Sequence, residues 1–86
     1  MLYIYICEDE EVQLNYIREM ITEYIADQRI DARIVAARQD PEEIMAELHD
    51  YCQPAIFFID IQLDGYDMDG FDLARRLKWL NSEYAV

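Results

Sequence analysis

The sequence feature that most constrains the fold is an alternation of short, continuously apolar runs with stretches of helical period. Residues 2–7 (LYIYIC), 32–37 (ARIVAA) and 55–59 (AIFFI) form the three runs, which are rich in β-branched or aromatic residues. Such runs predict strands that are buried on both faces, as in a parallel sheet. Arg33 lies within the second run, and a charge there favours the edge of the sheet.

A helix is predicted after each strand, because apolar side chains recur there at spacings of three and four residues. Asp40, Pro41 and Glu43 open the second helix as a capping residue, a first-turn proline and an acidic third position. The three apolar stripes are Leu14, Ile17, Ile21, Tyr24 and Ile25; Ile44, Met45, Leu48, Tyr51 and Cys52; and Phe71, Leu73, Ala74, Leu77 and Leu80.

The resulting order, β-α-β-α-β-α, predicts an α/β fold with a doubly wound, open parallel sheet and right-handed crossovers. Residues 84–86 look like the opening of a fourth strand. If the chain ends there, the third strand is expected to leave Phe57, Phe58 and Ile59 on an open apolar edge. A homodimer joined through the third strand or the start of the fourth is one way to cover it.

Charge and hydropathy limit the possible functions of this single domain of 86 residues. Its net charge of -12 argues against direct binding to nucleic acids or anionic membranes, and favours divalent cations or a basic protein face. The chain shows no signal-peptide pattern and no membrane-spanning apolar run, so we expect a cytoplasmic protein. Cys7 and Cys52 are expected to be buried thiols in a reducing compartment.

Acidic side chains follow two of the predicted strands. Glu8 and Asp9 come directly after the first strand, and Asp60 ends the third. Ligands of doubly wound sheets bind at the carboxyl ends of the strands, where the strand order reverses. If the two strands are neighbours, three carboxylates converge there, and Mg²⁺ is the natural cation to neutralise them. With Mg²⁺ bound, Asp60 can act as a nucleophile toward a phosphoryl group.

Three segments resemble the motifs of response-regulator receiver domains of two-component signalling, with the character of LytTR-type regulators. They are residues 4–10 (IYICEDE), 57–63 (FFIDIQL) and 68–74 (MDGFDLA). The resemblance implies a flavodoxin-like fold. It also implies that residues 1–86 are the first two-thirds of a receiver domain, as far as the start of the fourth strand, without the effector domain.

The resemblance also implies roles for individual residues. Asp60 becomes the acceptor of a phosphoryl group from a sensor histidine kinase. Asp9 becomes a direct Mg²⁺ ligand, Glu8 a ligand through water, and Gln62 a ligand through its backbone carbonyl. The domain would be a phosphoryl-accepting switch of transcription, not an enzyme, and would reach DNA only through an absent C-terminal domain.

The chain departs from the family pattern in three respects. Glu8 stands where aspartate is commoner, and the span from Asp60 to Gly70 is longer than usual. The hydroxyl residue after the family's fourth strand and the lysine after its fifth lie beyond Val86. In the family those two groups contact the phosphoryl oxygens and couple them to the switch surface, so residues 1–86 are expected to carry the acceptor and the metal site but only part of the transfer and switching machinery.

Alternatives of other classes remain open. One is a receiver-like protein-interaction module without phosphorylation. Residues 60–65 loosely match the start of an EF-hand calcium loop, but Phe71 replaces the glutamate needed at the twelfth position. A metal-dependent phosphatase would be expected to place an acid where Gln62 stands. His49 and Trp79 are interpreted as a surface residue and as a core or covered residue, respectively.

Overall fold

Three strands and three helices alternate along the chain. The computed structural model describes residues 1–48, 53–63 and 65–86. Its elements are β1 (Leu2–Cys7), α1 (Glu11–Gln28), β2 (Ala32–Arg38), α2 (Pro41–Ala46), β3 (Ala55–Ile59) and α3 (Gly70–Leu80). Among these residues, none of the helices has both the length and the apolar character needed to cross a lipid bilayer.

The strands form a parallel sheet in the order β2-β1-β3. This is the order in which a flavodoxin-like sheet begins, and it makes the chain an α/β protein of that type, as the alternation predicted. The edge position of β2 agrees with the charge of Arg33. The strand order reverses between β1 and β3, so the carboxyl ends of these two strands form the switch point of the sheet.

The strands send alternate side chains to two separate cores. Tyr5 and Phe57 point to the face that α2 and α3 cover, where their rings stack with centroids 4.7 Å apart. Ile4 and Ile6 point to the face that α1 covers through Leu14. Helices therefore lie on both faces of the sheet, as in a doubly wound fold.

Residues 84–86 partly complete the outer edge of β3. The amide of Phe57 donates to the carbonyl of Ala85 (2.8 Å), and Ala85 donates to Ala55 (3.1 Å). Tyr84 is buried against the ring of Phe57, at a centroid distance of 5.1 Å. These contacts form a parallel bridge, as the predicted start of a fourth strand requires. They also correct the expectation that Phe57 lies on an open edge, because Phe57 is only 2% exposed, whereas Phe58 is 44% exposed.

Three predicted core residues are on the outside. Tyr24 in α1 and Phe71 and Trp79 in α3 are exposed, and Trp79 is 87% exposed. Each helix turns by about 100° per residue, and the buried side of α3 is fixed by Leu73 and Leu77. Phe71 and Trp79 lie on the opposite side of that helix. Packing against the core therefore determines which side of α3 is buried, and the presence of apolar residues alone does not.

The second helix is shorter than its predicted stripe. It ends at Ala46, although Leu48 beyond it is still buried. Its beginning agrees with the prediction, since the Asp40 side chain accepts a hydrogen bond from the amide of Glu42 (2.9 Å). His49, Tyr51 and Cys52 lie outside the described residues, and so does Asp64. Cys7 is a buried free thiol, as expected.

Candidate functional site

The register of β1 and β3 places acidic residues side by side at the switch point. Cys7 pairs with Ile59, and the amide of Asp60 donates to the carbonyl of Cys7 at 3.0 Å. The residues that follow in each strand, Glu8 and Asp60, therefore leave the sheet at the same level. This proximity follows from the strand order, which brings together segments 52 positions apart in the sequence.

Glu8, Asp9 and Asp60 form a half-buried cluster of carboxylates. One oxygen from each residue lies within 4.8 Å of the others. Oxygens bound to one Mg²⁺ by bonds of about 2.1 Å lie at most roughly 4.2 Å apart. The three oxygens therefore lie close to the spacing that a shared ion requires, and the cluster can hold a divalent metal.

The charges in the cluster oppose one another. Burial raises the pKa of Glu8, and the neighbouring carboxylates of Asp60 and Asp9 raise it further. The pKa of the Cys7 thiol is raised to about 12, chiefly by burial, and the negative charges of Asp40, Glu8, Asp60 and Asp9 raise it further. A cation bound between the carboxylates would relieve this repulsion, whereas Cys7 remains a protonated, buried thiol.

Gln62 lies at the mouth of the cluster. Its side chain is exposed, and its backbone amide points toward the Asp60 carboxylate, with a nitrogen–oxygen distance of 3.4 Å. The role of its carbonyl as a metal ligand remains a prediction.

Gln39, which the sequence patterns did not single out, holds the loop after β1. Its side-chain amide donates to the carbonyl of Asp9 at 2.8 Å, and the amide of Glu8 donates to the carbonyl of Arg38 at 3.2 Å. The loop that carries two of the three acids is thus tied to the end of β2. No sequence signal marks Gln39, because a side chain that serves a distant backbone carbonyl has no characteristic spacing.

Gly70 allows α3 to begin directly against the backbone of Asp60. A Cβ atom at Gly70 would lie 2.1 Å from the carbonyl oxygen of Asp60 and 2.8 Å from the Cα of Ile61. Asp69 caps the helix, since its carboxylate accepts from the amide of Asp72 (2.8 Å) and its own amide donates to the carboxylate of Asp72 (3.3 Å). This reciprocal cap has a sequence signal, an acid at each of two positions three apart before an apolar stripe.

A groove opens beside the cluster on the α1 side of the sheet. It has a volume of about 330 Å³ and is lined by Cys7, Glu8, Ile17, Met20, Ile21, Phe58, Ile59 and Asp60. Glu8 and Asp60 therefore line an apolar depression that is open to solvent-borne ligands.

Two curated proteins are similar to the chain. Both are called accessory gene regulator protein A, from two strains of Staphylococcus epidermidis, and each is 29% identical over 75 residues. The similar region covers 87% of this chain and 31% of each relative, so the chain spans about a third of the length of these relatives. No protein-family model and no solved structure matches the chain.

Proposed function

We propose that this chain is the phosphoacceptor receiver of a two-component response regulator, and that Asp60 accepts a phosphoryl group from a sensor histidine kinase. The observation that carries the proposal is the convergence of Glu8, Asp9 and Asp60 at the switch point of the sheet. The likeness to two gene regulators supports it, because the similar region covers most of the chain.

In the proposed reaction, a carboxylate oxygen of Asp60 attacks the phosphorus of a phosphohistidine on the kinase. The new phosphorus–oxygen bond forms as the phosphorus–nitrogen bond breaks, and the electron pair returns to the imidazole, which takes up a proton. The products are an aspartyl phosphate and an unmodified histidine. The hydrogen bond from the Asp60 amide to the Cys7 carbonyl and the close approach of Gly70 to the Asp60 backbone hold the acceptor in place during this exchange.

Mg²⁺ is the proposed cofactor, because hard cations prefer oxygen ligands and the cluster supplies three carboxylates. Asp9 and Asp60 would bind it directly, Glu8 through water, and Gln62 through its carbonyl. When bound, the ion neutralises negative charge on the transferred group. The chain's own contribution is to orient the Asp60 oxygen and to keep Glu8 close enough to share the cation.

The proposed output is a change in transcription. The two similar proteins are regulators of genes by name, and the chain spans 31% of their length. We propose that the phosphorylated receiver acts in the cytoplasm on a C-terminal effector domain, and that contact with DNA belongs to that domain, because the receiver segment itself has a net charge of -12.

The acceptor is tested by labelling with acetyl phosphate, using the longest natural protein that contains these residues. We expect the wild type to gain a hydroxylamine-labile phosphoryl group and Asp60→Asn to gain none. Asp31→Asn is the matched control, because Asp31 is exposed and pairs with the amino terminus at the other end of β1. Labelling of Asp60→Asn at the wild-type level would refute the assignment. An unlabelled wild type would favour the alternative, a protein-interaction module without phosphorylation.

The metal site is tested by thermal unfolding in Mg²⁺. An ion at tenfold its dissociation constant stabilises the folded state by about 1.4 kcal/mol, which corresponds to a rise of several degrees in Tm. Asp9→Asn should lose most of this rise, whereas Asp31→Asn should keep it. The comparison is made against NaCl of equal ionic strength, and a wild type that responds equally to both salts would contradict the proposal.

A further inference from the structure

The outer face of α3 carries two aromatic side chains with an arginine between them. Phe71, Arg75 and Trp79 follow one another at four-residue spacing, and all three are exposed. Arg76 and Lys78 lie beside them, so the outer face has three of the chain's seven basic residues within four positions. Tryptophan and arginine are the residues most enriched among binding hot spots, whereas an ordinary solvated helix face is rich in small charged and polar groups.

A shallow depression adjoins this face. It has a volume of about 380 Å³ and is lined by Met45, Arg75, Arg76, Trp79 and Leu80. It has room for an apolar side chain of a partner beside Met45 and Trp79, and two arginines are among its lining residues. The arginines already contact Asp72 and Glu42, but the side chains of both pairs are solvent-exposed. Exposed ion pairs contribute little to stability, so they can exchange partners at little cost.

The outer face of α1 has the opposite charge. Its buried side is set by Leu14, Ile17, Ile21 and Ile25, and a turn of about 100° per residue places the acids Glu19, Glu23 and Asp27 on the far side. Val12 and Tyr16 lie on that far side too, 73% and 62% exposed. The result is an acidic helix face with two large apolar side chains near its beginning.

We propose that the outer face of α1 in one copy of this chain docks on the outer face of α3 in a second copy. The apolar groups of α1 would pack on Phe71 and Trp79, and its acids would meet the basic groups of α3. The two helices lie on opposite faces of the sheet, because α1 belongs to one core and α3 to the other. The contact is therefore head-to-tail, and each copy has one free α1 face and one free α3 face.

A second copy fits this surface in spite of the chain's overall negative charge. At about 0.15 M salt the Debye length is roughly 8 Å, so repulsion between the bodies is screened, whereas the groups in direct contact still attract. A symmetric contact between two α3 faces would instead set Arg75 against Arg75. One pair of helices buries less surface than a permanent interface, so the association is of the weak, reversible class.

The test uses two variants that each block one face. Tyr16→Lys puts a positive charge on the α1 face that meets the basic groups of α3, and Trp79→Glu puts a negative charge on the α3 face that meets the acids of α1. Both positions are exposed, so both variants should fold, as checked by circular dichroism. In sedimentation equilibrium, the wild type should form species larger than a dimer as its concentration rises. Each variant alone should associate at least about tenfold more weakly.

The decisive measurement is the mixture of the two variants. Tyr16→Lys keeps an intact α3 face and Trp79→Glu keeps an intact α1 face, so the mixture should form a one-to-one dimer that does not grow further. Ile61→Ser removes an exposed apolar side chain outside both faces and should leave association unchanged. The proposal is overturned if the wild type is still monomeric at a protein concentration of about 1 mM, because its dissociation constant would then be weaker than that value. It is also overturned if the mixture stays monomeric while the wild type associates, or if Ile61→Ser weakens association as much as Trp79→Glu does.

Discussion

The same three strands build two very different cores on the two faces of the sheet. On the α2 and α3 face, Phe57 lies between the rings of Tyr5 and Tyr84, and Leu73 and Leu77 of α3 are fully enclosed. On the other face α1 lies over β1 and β2, and the buried cluster among the described residues there has three members, Ile4, Ile6 and Leu14. An apolar groove of about 320 Å³ remains between α1 and β3, lined in part by Met20, Ile56 and Phe58.

This difference indicates where the stability of the described residues resides. A close-packed core gains both from removing apolar area from water and from the contacts that a void forfeits. The enclosed face is stabilised in both ways, whereas the α1 face is stabilised only by removing part of its apolar area from water. The acidic cluster lies at the carboxyl ends of the strands, between the two faces, so its geometry depends on how rigidly the enclosed face holds β3.

The largest effect should separate two adjacent phenylalanines. Phe57→Ala leaves a cavity in the enclosed core and should lower the free energy of unfolding by about 3–5 kcal/mol. Phe58→Ala removes a side chain that is already 44% exposed and should cost about 1 kcal/mol. Urea unfolding at pH 7 measures both, and Phe57→Leu preserves the ranking if Phe57→Ala does not fold. Equal losses at the two positions would mean that the two faces contribute alike.

A smaller effect is expected at the contact between α3 and the end of β3. Gly70→Ala brings a methyl group onto the carbonyl of Asp60, so α3 or Asp60 must shift, at a cost of about 1–3 kcal/mol. Because Asp60 belongs to the acidic cluster, Mg²⁺ affinity should fall as well.

The control for this prediction is Gly65→Asn. Gly65 has a φ of +85° and open space around it, so asparagine there strains the local backbone, at about 1 kcal/mol, without approaching Asp60, and Mg²⁺ affinity should stay at the wild-type value. Calorimetric Mg²⁺ titration and urea unfolding compare the two variants. A Gly70→Ala protein with wild-type stability and metal affinity would show that α3 does not position the cluster.

The smallest effect concerns Glu8, at the rim between the two faces. Its pKa is raised in the folded state, so the folded protein binds this proton more tightly than the unfolded chain does. The free energy of unfolding should therefore fall as the pH rises through the range between the ordinary and the raised pKa. In metal-free buffer at pH 7, Glu8→Gln should be more stable than the wild type by up to about 1 kcal/mol.

This difference should vanish toward pH 3, below the ordinary pKa of glutamate, where Glu8 is protonated in both states. Denaturant unfolding from pH 3 to pH 8 gives both profiles, with Glu10→Gln as a control at an exposed neighbour. A constant offset between wild type and Glu8→Gln across the whole range would contradict the assigned cause.

The sequence by itself determined the strands and the acids that follow them. The predicted limits of β1 and β3 agree with the structure, and β2 extends one residue further, to Arg38. Continuous apolar runs specify strands buried on both faces without reference to any distant residue. The sequence therefore shows that Glu8, Asp9 and Asp60 directly follow such runs. Predicting that they converge requires one further assumption, that β1 and β3 are neighbours.

The tertiary structure alone decided which side of each helix is buried and what supports the site. Phe71 was predicted in the apolar stripe and Trp79 as a core or covered residue, but both face outward, because the core already enclosed Leu73 and Leu77. Gln39 reaches the loop of Asp9 across 30 positions, and Gly70 fits against Asp60 because no Cβ intervenes. The physical reason is the same in each case. These features depend on the volume and the hydrogen-bonding groups of segments far apart in sequence, and a local sequence pattern does not contain that information.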